Sequence, residues 1–133
     1  MPVTPYLMLD GRGDEAIEFY KKALGATVGM LMRFKDAPAG ACAPGTNDDK
    51  VMHASLTIDG TVVMLSDGNN TGKPEFKGIS LSVNAKDEAH ADKMFAALSE
   101  GGKVQMAMEK TFFARRFGMV ADKFGVSWMI IAE

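Results

Sequence analysis

Val51-Met52-His53-Ala54-Ser55-Leu56-Thr57-Ile58-Asp59-Gly60-Thr61-Val62-Val63-Met64-Leu65-Ser66 is the stretch on which the fold turns. Two β-type runs, 51–58 and 61–66, flank Asp59-Gly60, a dipeptide suited to the positive φ angles of a tight hairpin. Upstream, residues 5–10 read as a short strand, and Gly11-Arg12-Gly13-Asp14 supplies a turn and a helix N-cap. Over 15–24 a helix follows. Ala16, Ile17, Tyr20, Ala23 and Leu24 share one face, Glu18, Lys21 and Lys22 oppose them, and Gly25 suits the stop. Residues 27–34 make a second strand. The small-residue run 37–45 and the polar Asn47-Asp48-Asp49 then predict a long, mobile loop. The order of the first half is β-α-β-β-β.

Downstream, the turn-rich Asp67-Gly68-Asn69-Asn70-Thr71-Gly72-Lys73-Pro74 marks an internal boundary. Beyond it the order repeats. A strand over 79–84 precedes a helix over 87–99 with Ala91, Met94, Phe95 and Leu98 on one face, and Gly101-Gly102 stops it. Strands over 104–108, 117–121 and 126–131 complete the set. Aligning Leu7 with Leu81 also brings Asp14 onto Glu88 and Leu24 onto Leu98, and after a gap Gly60 meets Gly125 and Met64 meets Met129. Such self-similarity is what an internal repeat leaves. The expectation is a single α+β domain of two βαβββ modules, about 3–67 and about 77–133, in a curved, mixed, eight-stranded sheet.

Composition narrows the function. With 133 residues, 47% hydrophobic and 24% charged, and no apolar run long enough to span a bilayer, the chain reads as one soluble domain without a membrane partner. Fifteen Lys+Arg against seventeen Asp+Glu leave a net charge of −2, which offers no general attraction to nucleic acid. The lone Cys42 excludes an intrachain disulfide and a cysteine-based zinc site. Together with a start, Met1-Pro2-Val3-Thr4-Pro5, that lacks the features of a signal peptide, it makes the cytosol the expected compartment. One count is abnormal: eleven Met against eight Phe, two Tyr and one Trp.

Side chains alternate along a strand, so each strand divides into two sets. One set is continuously apolar: Leu7, Leu9, Met52, Ala54, Leu56, Ile58, Val63, Leu65, Ile79, Leu81, Val83, Trp128 and Ile130, expected to pack beneath the helices. The other mixes polar and soft groups: Thr4, Tyr6, Met8, His53, Ser55, Thr57, Met64, Ser66, Gly78, Ser80, Ser82, Ser127, Met129 and Ile131. That face meets water or lines a pocket. A plainly wet face carries Lys, Glu and Arg, whereas Tyr6, Met8, His53, Met64 and Met129 fit a pocket wall. About half of the methionines fall in the apolar set or at strand ends as core filler.

His53, mid-strand on the mixed face, is placed to act as a base, a hydrogen-bond donor, a metal ligand or a structural histidine. His90 falls on the polar side of the second helix and is expected in solvent. Cys42 has no basic partner nearby in sequence to make it a nucleophile. Arg115-Arg116 after Thr111-Phe112-Phe113 read either as an anion clamp or as exposed edge charges. Glu109 and Asp67, at strand ends, are acid/base groups or rim charges. No phosphate loop, dinucleotide fingerprint, nucleophile elbow or H-E-x-x-H motif is present in the sequence.

Thr4-Pro5-Tyr6-Leu7, Glu15-Ala16-Ile17-Glu18-Phe19-Tyr20, Leu24-Gly25-Ala26, Lys50-Val51-Met52-His53-Ala54-Ser55-Leu56, Phe117-Gly118-Met119-Val120 and Asp122-Lys123-Phe124-Gly125-Val126-Ser127-Trp128-Met129-Ile130 span nearly the whole chain. In these blocks it resembles the PhnB-like family, also labelled 3-demethylubiquinone-9 3-methyltransferase domain, of the glyoxalase/bleomycin-resistance/dioxygenase (vicinal oxygen chelate) superfamily. The resemblance implies two βαβββ modules, each a curved half-barrel, and a homodimer with strand exchange. Metal-dependent members take ligands from the first, fourth, fifth and eighth strands, where this chain has Thr4 or Tyr6, Met64 or Ser66, Gly78 and Met129. A thioether is a soft, weak ligand for a divalent glyoxalase-type metal. No glycine-rich cofactor loop for methyl transfer follows the first strand.

The expected protein is therefore a PhnB-like homodimer, free of metal and cofactor, that binds a small organic molecule in a cavity between its modules. Tyr6, His53, Met64, Trp128 and Met129 form the wall, and Phe112, Phe113 and Arg115 the rim. Of the wall residues, Trp128 has the parity of the helix side. Two rivals stand beside this reading. One is an enzyme, either metal-dependent through His53 with Asp67 or Glu109, or metal-free with His53 as base. The other is a partner-binding module whose concave face is plugged by its own side chains.

Overall fold

In the computed structural model, residues 3–36, 49–68 and 73–133 are described. The small-residue run 37–45 with Cys42, and residues 69–72 of the turn-rich stretch, lie outside them. The chain divides into two compact units, Met1–Pro74 and Glu75–Glu133. Unit 1 holds β1 (Tyr6–Met8), α1 (Gly13–Leu24), β2 (Thr27–Arg33), a single 3-10 turn (Phe34–Asp36), β3 (Val51–Ile58) and β4 (Thr61–Ser66). Unit 2 holds β5 (Ser80–Asn84), α2 (Glu88–Ser99), β6 (Lys103–Glu109), β7 (Arg116–Ala121) and β8 (Ser127–Ala132). All eight expected strands and both helices are present. The strands are distributed over two mixed four-stranded sheets with one shared order, β1-β4-β3-β2 and β5-β8-β7-β6. In each sheet the first-listed pair is parallel and the others antiparallel. Among the described residues no helix is long and apolar enough to cross a membrane.

The β3–β4 hairpin forms because Asp59 and Gly60 adopt φ values of 50° and 80°, the left-handed pair that a two-residue turn needs. Its apolar parity then fixes the core. Ala54, Leu56, Ile58, Val63 and Leu65 are buried with Leu7 and Leu9 against Ala16, Ile17 and Tyr20 of α1. In unit 2, Val83, Val120, Trp128 and Ile130 are buried with Ala91, Met94 and Leu98 of α2.

Three members of the expected apolar set differ, one of them Leu81, which is half-buried. Val51, not Met52, is fully buried, because the register shift between Met32 and Arg33 pairs Arg33 with Val51 and interrupts the alternation just before His53. Ile79 is 60% exposed, since it precedes β5 and lies outside the ladder.

The first helix is not capped from within its turn. Arg12 occupies the N-cap position without a side-chain cap bond, and Asp14 instead binds Arg33 through two bonds, Nη1 to Oδ2 at 2.9 Å and Nη2 to Oδ1 at 2.8 Å. This hydrogen-bonded partner holds the Asp14 carboxyl below its ordinary range, against a smaller opposing effect of desolvation. A depressed native pKa means that the unfolded chain takes up a proton first. The contribution is therefore complete above the usual carboxylate range and is lost as pH falls through the native value. Since Asp14 is half exposed, the pair is worth less than about 1 kcal/mol. Asp14→Asn is expected to lower stability by that amount at neutral pH and to converge with the parent protein in strong acid, read by urea unfolding at both.

Candidate functional site

In each unit one sheet face carries the helix, and the opposite face collects the residues expected to form a site. Across unit 1 a single rung runs from Tyr6 to Met64, then Ser55, then Met30 as successive Cα partners. Met8 pairs with Ser66 and Met32 with His53, which places all of these on the face turned away from α1. Gly29 is bulged between Val28 and Met30. The Ser55 hydroxyl accepts from the Met30 N–H at 3.0 Å, and a Cβ at Gly29 would stand only 2.9 Å from that oxygen. A side chain here would displace that hydroxyl.

Tyr6 and His53 are joined: the phenol oxygen lies 2.8 Å from Nδ1 and the ring centroids are 5.6 Å apart. Since β4 lies between β1 and β3, the two side chains bridge over it. Tyr6 is 46% and Met8 45% exposed, while His53, Ser55 and Met64 are half-buried.

The corresponding face of unit 2 is built the same way. Ser82, Met129, Met119 and Met106 form its rung, and Asn84, Ile131 and Phe117 part of the next. Phe117 is buried because Phe113 packs on it edge-to-face at 5.1 Å, and Phe112 packs on Phe113 at the same distance while remaining fully exposed. Thr111 Oγ1 holds this loop by accepting from the Phe113 and Ala114 N–H groups. A shallow groove of about 260 Å³ lies between residues 110–115 and Glu133.

The expected residues are thus partly brought together. Tyr6, His53 and Met64 share one face in unit 1. Met129 occupies the matching face in unit 2, with Phe113 at its margin. Trp128 is 2% exposed on the helix side, its indole N–H donated to Asp122 Oδ2 at 2.9 Å. The two arginines separate: Arg116 is bound by Asp92 of α2, whereas Arg115 donates to the Glu133 carbonyl and lies 3.9 Å from Glu88. His90, expected in solvent, is half-buried; its Nδ1 accepts from the Lys86 N–H and its own N–H donates to the capping Asp87 Oδ1.

The methionines correct the expectation of core filler. Met1 lies outside the described residues, and of the other ten Met94 alone is buried. Seven of them, Met8, Met30, Met32, Met64, Met106, Met119 and Met129, lie on the faces turned away from the helices. Three of these, Met30 and Met32 in β2 and Met106 in β6, escape a reading by parity because bulges interrupt both strands. Gly29, inside a strand pattern, was the available signal for the first of these.

A family model described as 3-demethylubiquinone-9 3-methyltransferase matches residues 1–131. The chain belongs to that family. Within this PhnB-like group it is 36% identical to Protein YjdN of Escherichia coli K12, over 98% of this chain and 94% of that one. The crystal structure of protein PA1353 from Pseudomonas aeruginosa superposes with a TM-score of 0.87 at 38% identity, covering 100% and 98% of the two chains. A Bacillus cereus protein titled putative 3-demethylubiquinone-9 3-methyltransferase, PhnB protein, gives 0.82 at 27%, covering both chains fully. The fold alone extends to a glyoxalase-related enzyme from Fulvimarina pelagi, with a TM-score of 0.62 at 16% identity over 100% and 88% of the chains.

The resemblance drawn from the sequence raises the question of a divalent ion, so the fit of the residues to one matters. At the positions named for ligands, unit 1 offers Tyr6 beside Met64, a phenol and a thioether, and unit 2 offers Gly78, which has no side chain, and the thioether of Met129. None is a hard anionic donor. Asp67, considered with His53 as an unconventional ligand set, is fully buried on the core side, with Oδ1 accepting from Gly11 and Gly13 and Oδ2 from Val51. It is neither rim charge nor free ligand. Among the described residues no three His, Cys, Asp or Glu groups cluster to hold a metal ion. The donor set does not fit a hard divalent metal.

Proposed function

We propose that this PhnB-like protein binds a small organic molecule on the methionine-lined sheet faces without a metal or other cofactor. In unit 1 Tyr6, His53 and Met64 make contact; in unit 2 Met129 does, with Phe112, Phe113 and Arg115 as a rim. One observation carries the reading: seven methionines occupy the sheet faces their own helices leave open, where a wet face holds charged residues. Unbranched thioethers adapt to irregular apolar and aromatic shapes at little cost. His53 is the side chain available there as a base, should the bound molecule be turned over. The exposed apolar residues Val28 and Leu31 of β2 and Val104 of β6 support a homodimer, and the lone cysteine supports a reducing compartment such as the cytosol.

Thermal unfolding of the purified protein against a panel of apolar and aromatic compounds tests the reading. A ligand at a hundred times its Kd adds about 2.7 kcal/mol, a rise of several degrees in Tm. A panel that leaves Tm unchanged contradicts it. Elemental analysis finding one divalent ion per chain, lost in His53→Ala, would restore the metal-dependent alternative.

A further inference from the structure

We infer that the Tyr6–His53 pair is the polar anchor for one class of ligand, a planar conjugated molecule bearing a hydrogen-bond-accepting oxygen. The Tyr6 ring is its stacking platform. The inference rests on the small-molecule reading above and names the chemistry of its unit 1 face. Two strand spacings, about 9.5 Å, separate β1 from β3 across β4, and the phenol and imidazole close that gap with a bond of 2.8 Å. Both side chains are thereby drawn along the sheet instead of standing up from it. In the tautomer of His53 that carries its ring proton on Nε2, Nδ1 accepts from the phenol O–H.

Nε2 has no partner among the described residues, and none of their buried side-chain nitrogens or oxygens lacks one, so Nε2 reaches the surface. The face therefore presents an outward N–H donor beside a π surface that is nearly half exposed and whose hydroxyl is already satisfied. The thioethers of Met8 and Met64 stand next to that surface, and sulfur packs favourably against aromatic rings. Asp67 is turned into the core and gives this face no charge, while the Asp10 carboxylate lies near the Met8 methyl at its edge, so the Nε2 donor is what favours an accepting oxygen. A donor, a ring and thioethers select an acceptor on a conjugated frame.

Full-length protein carrying 13C-methyl methionine, titrated with 2-naphthoate, cyclohexanecarboxylate and 2-naphthylmethylammonium, tests this. Naphthoate is expected to move the Met8 and Met64 methyl signals upfield by ring current. Its affinity should exceed that of the other two by at least about tenfold, the worth of one charge-assisted hydrogen bond. His53→Phe and Tyr6→Leu should each weaken naphthoate about tenfold at unchanged Tm, and Tyr6→Phe by less, since it keeps the platform. Equal binding of naphthoate and cyclohexanecarboxylate overturns the inference, as does naphthoate binding at these methyls that ignores both substitutions. In either case the small-molecule reading survives. No methionine methyl responding to any probe overturns both.

Discussion

Asp67→Ala is expected to lower the free energy of unfolding by about 3–5 kcal/mol, the range for an uncompensated loss inside a buried polar network. The carboxylate is fully buried and accepts three backbone N–H groups: Gly11 at 3.0 Å, Gly13 at 2.6 Å and Val51 at 2.7 Å. Its own N–H donates to the Val51 carbonyl at 2.8 Å. The start of α1 thus receives from Asp67, far along the chain, the anion that its N-terminal donors and dipole call for, and Arg12 provides no substitute. Gly13 belongs to the same device, since a Cβ there would stand 2.8 Å from Oδ1. Alanine leaves two buried donors, Gly13 and Val51, and the part-buried Gly11 without this acceptor. Asparagine is the informative comparison: its carbonyl oxygen can still serve Gly11 and Gly13, but its amide nitrogen faces the Val51 N–H, donor against donor. Asp67→Asn should therefore cost about 2 kcal/mol. Urea unfolding followed by circular dichroism reads both, and a loss below about 1 kcal/mol for alanine contradicts the network. Because this residue holds the fold, activity lost in its variants reports structure and not chemistry.

Elements governed by local rules were legible in the sequence. The hairpin strands Val51–Ile58 and Thr61–Ser66 have the expected bounds because period-two burial and an Asp-Gly turn are short-range signals. The second helix starts where Asp87 can cap it, again locally. What stayed hidden depends on distance or on interrupted alternation. No window of sequence links Asp67 to Gly13, so the acidic residue nearest the first helix, Asp14, looked like part of its start although it serves Arg33. Met30 and Met106 lie beyond bulges that shift parity, so half of the methionine face was invisible while its other half, Met8, Met64 and Met129, was not. Tyr6 and His53 could each be placed on the mixed face from their strands alone. That they bond across β4 required the strand order β1-β4-β3, which two antiparallel hairpin strands do not dictate.

Trp128→Ala should be the other severe lesion, at about 4–6 kcal/mol, and Trp128→Phe separates its causes. The indole is 2% exposed among the side chains beneath α2, and truncating such a ring costs about 3–5 kcal/mol through lost burial and the cavity left behind. Its N–H adds a second role. Asp122, 3% exposed, accepts from Phe124 and Val126 through Oδ1 at 2.9 and 3.1 Å and from the indole through Oδ2 at 2.9 Å, so the tryptophan joins the carboxylate that shapes the β7–β8 turn. Phenylalanine retains most of the volume and none of the donor. It should cost about 1–3 kcal/mol, the range for losing a buried hydrogen bond to a carboxylate. The chain has one tryptophan, so unfolding of these variants is followed by circular dichroism instead of fluorescence. Equal losses in the two variants would assign the whole effect to the hydrogen bond, and a loss below about 2 kcal/mol for alanine would contradict the packing argument. Met129, the next residue, points to the opposite face, so Trp128→Phe is expected to leave ligand binding intact while lowering Tm. Parity along β8 makes one neighbour a structural residue and the other a candidate contact, and measuring stability and binding on the same variant separates them.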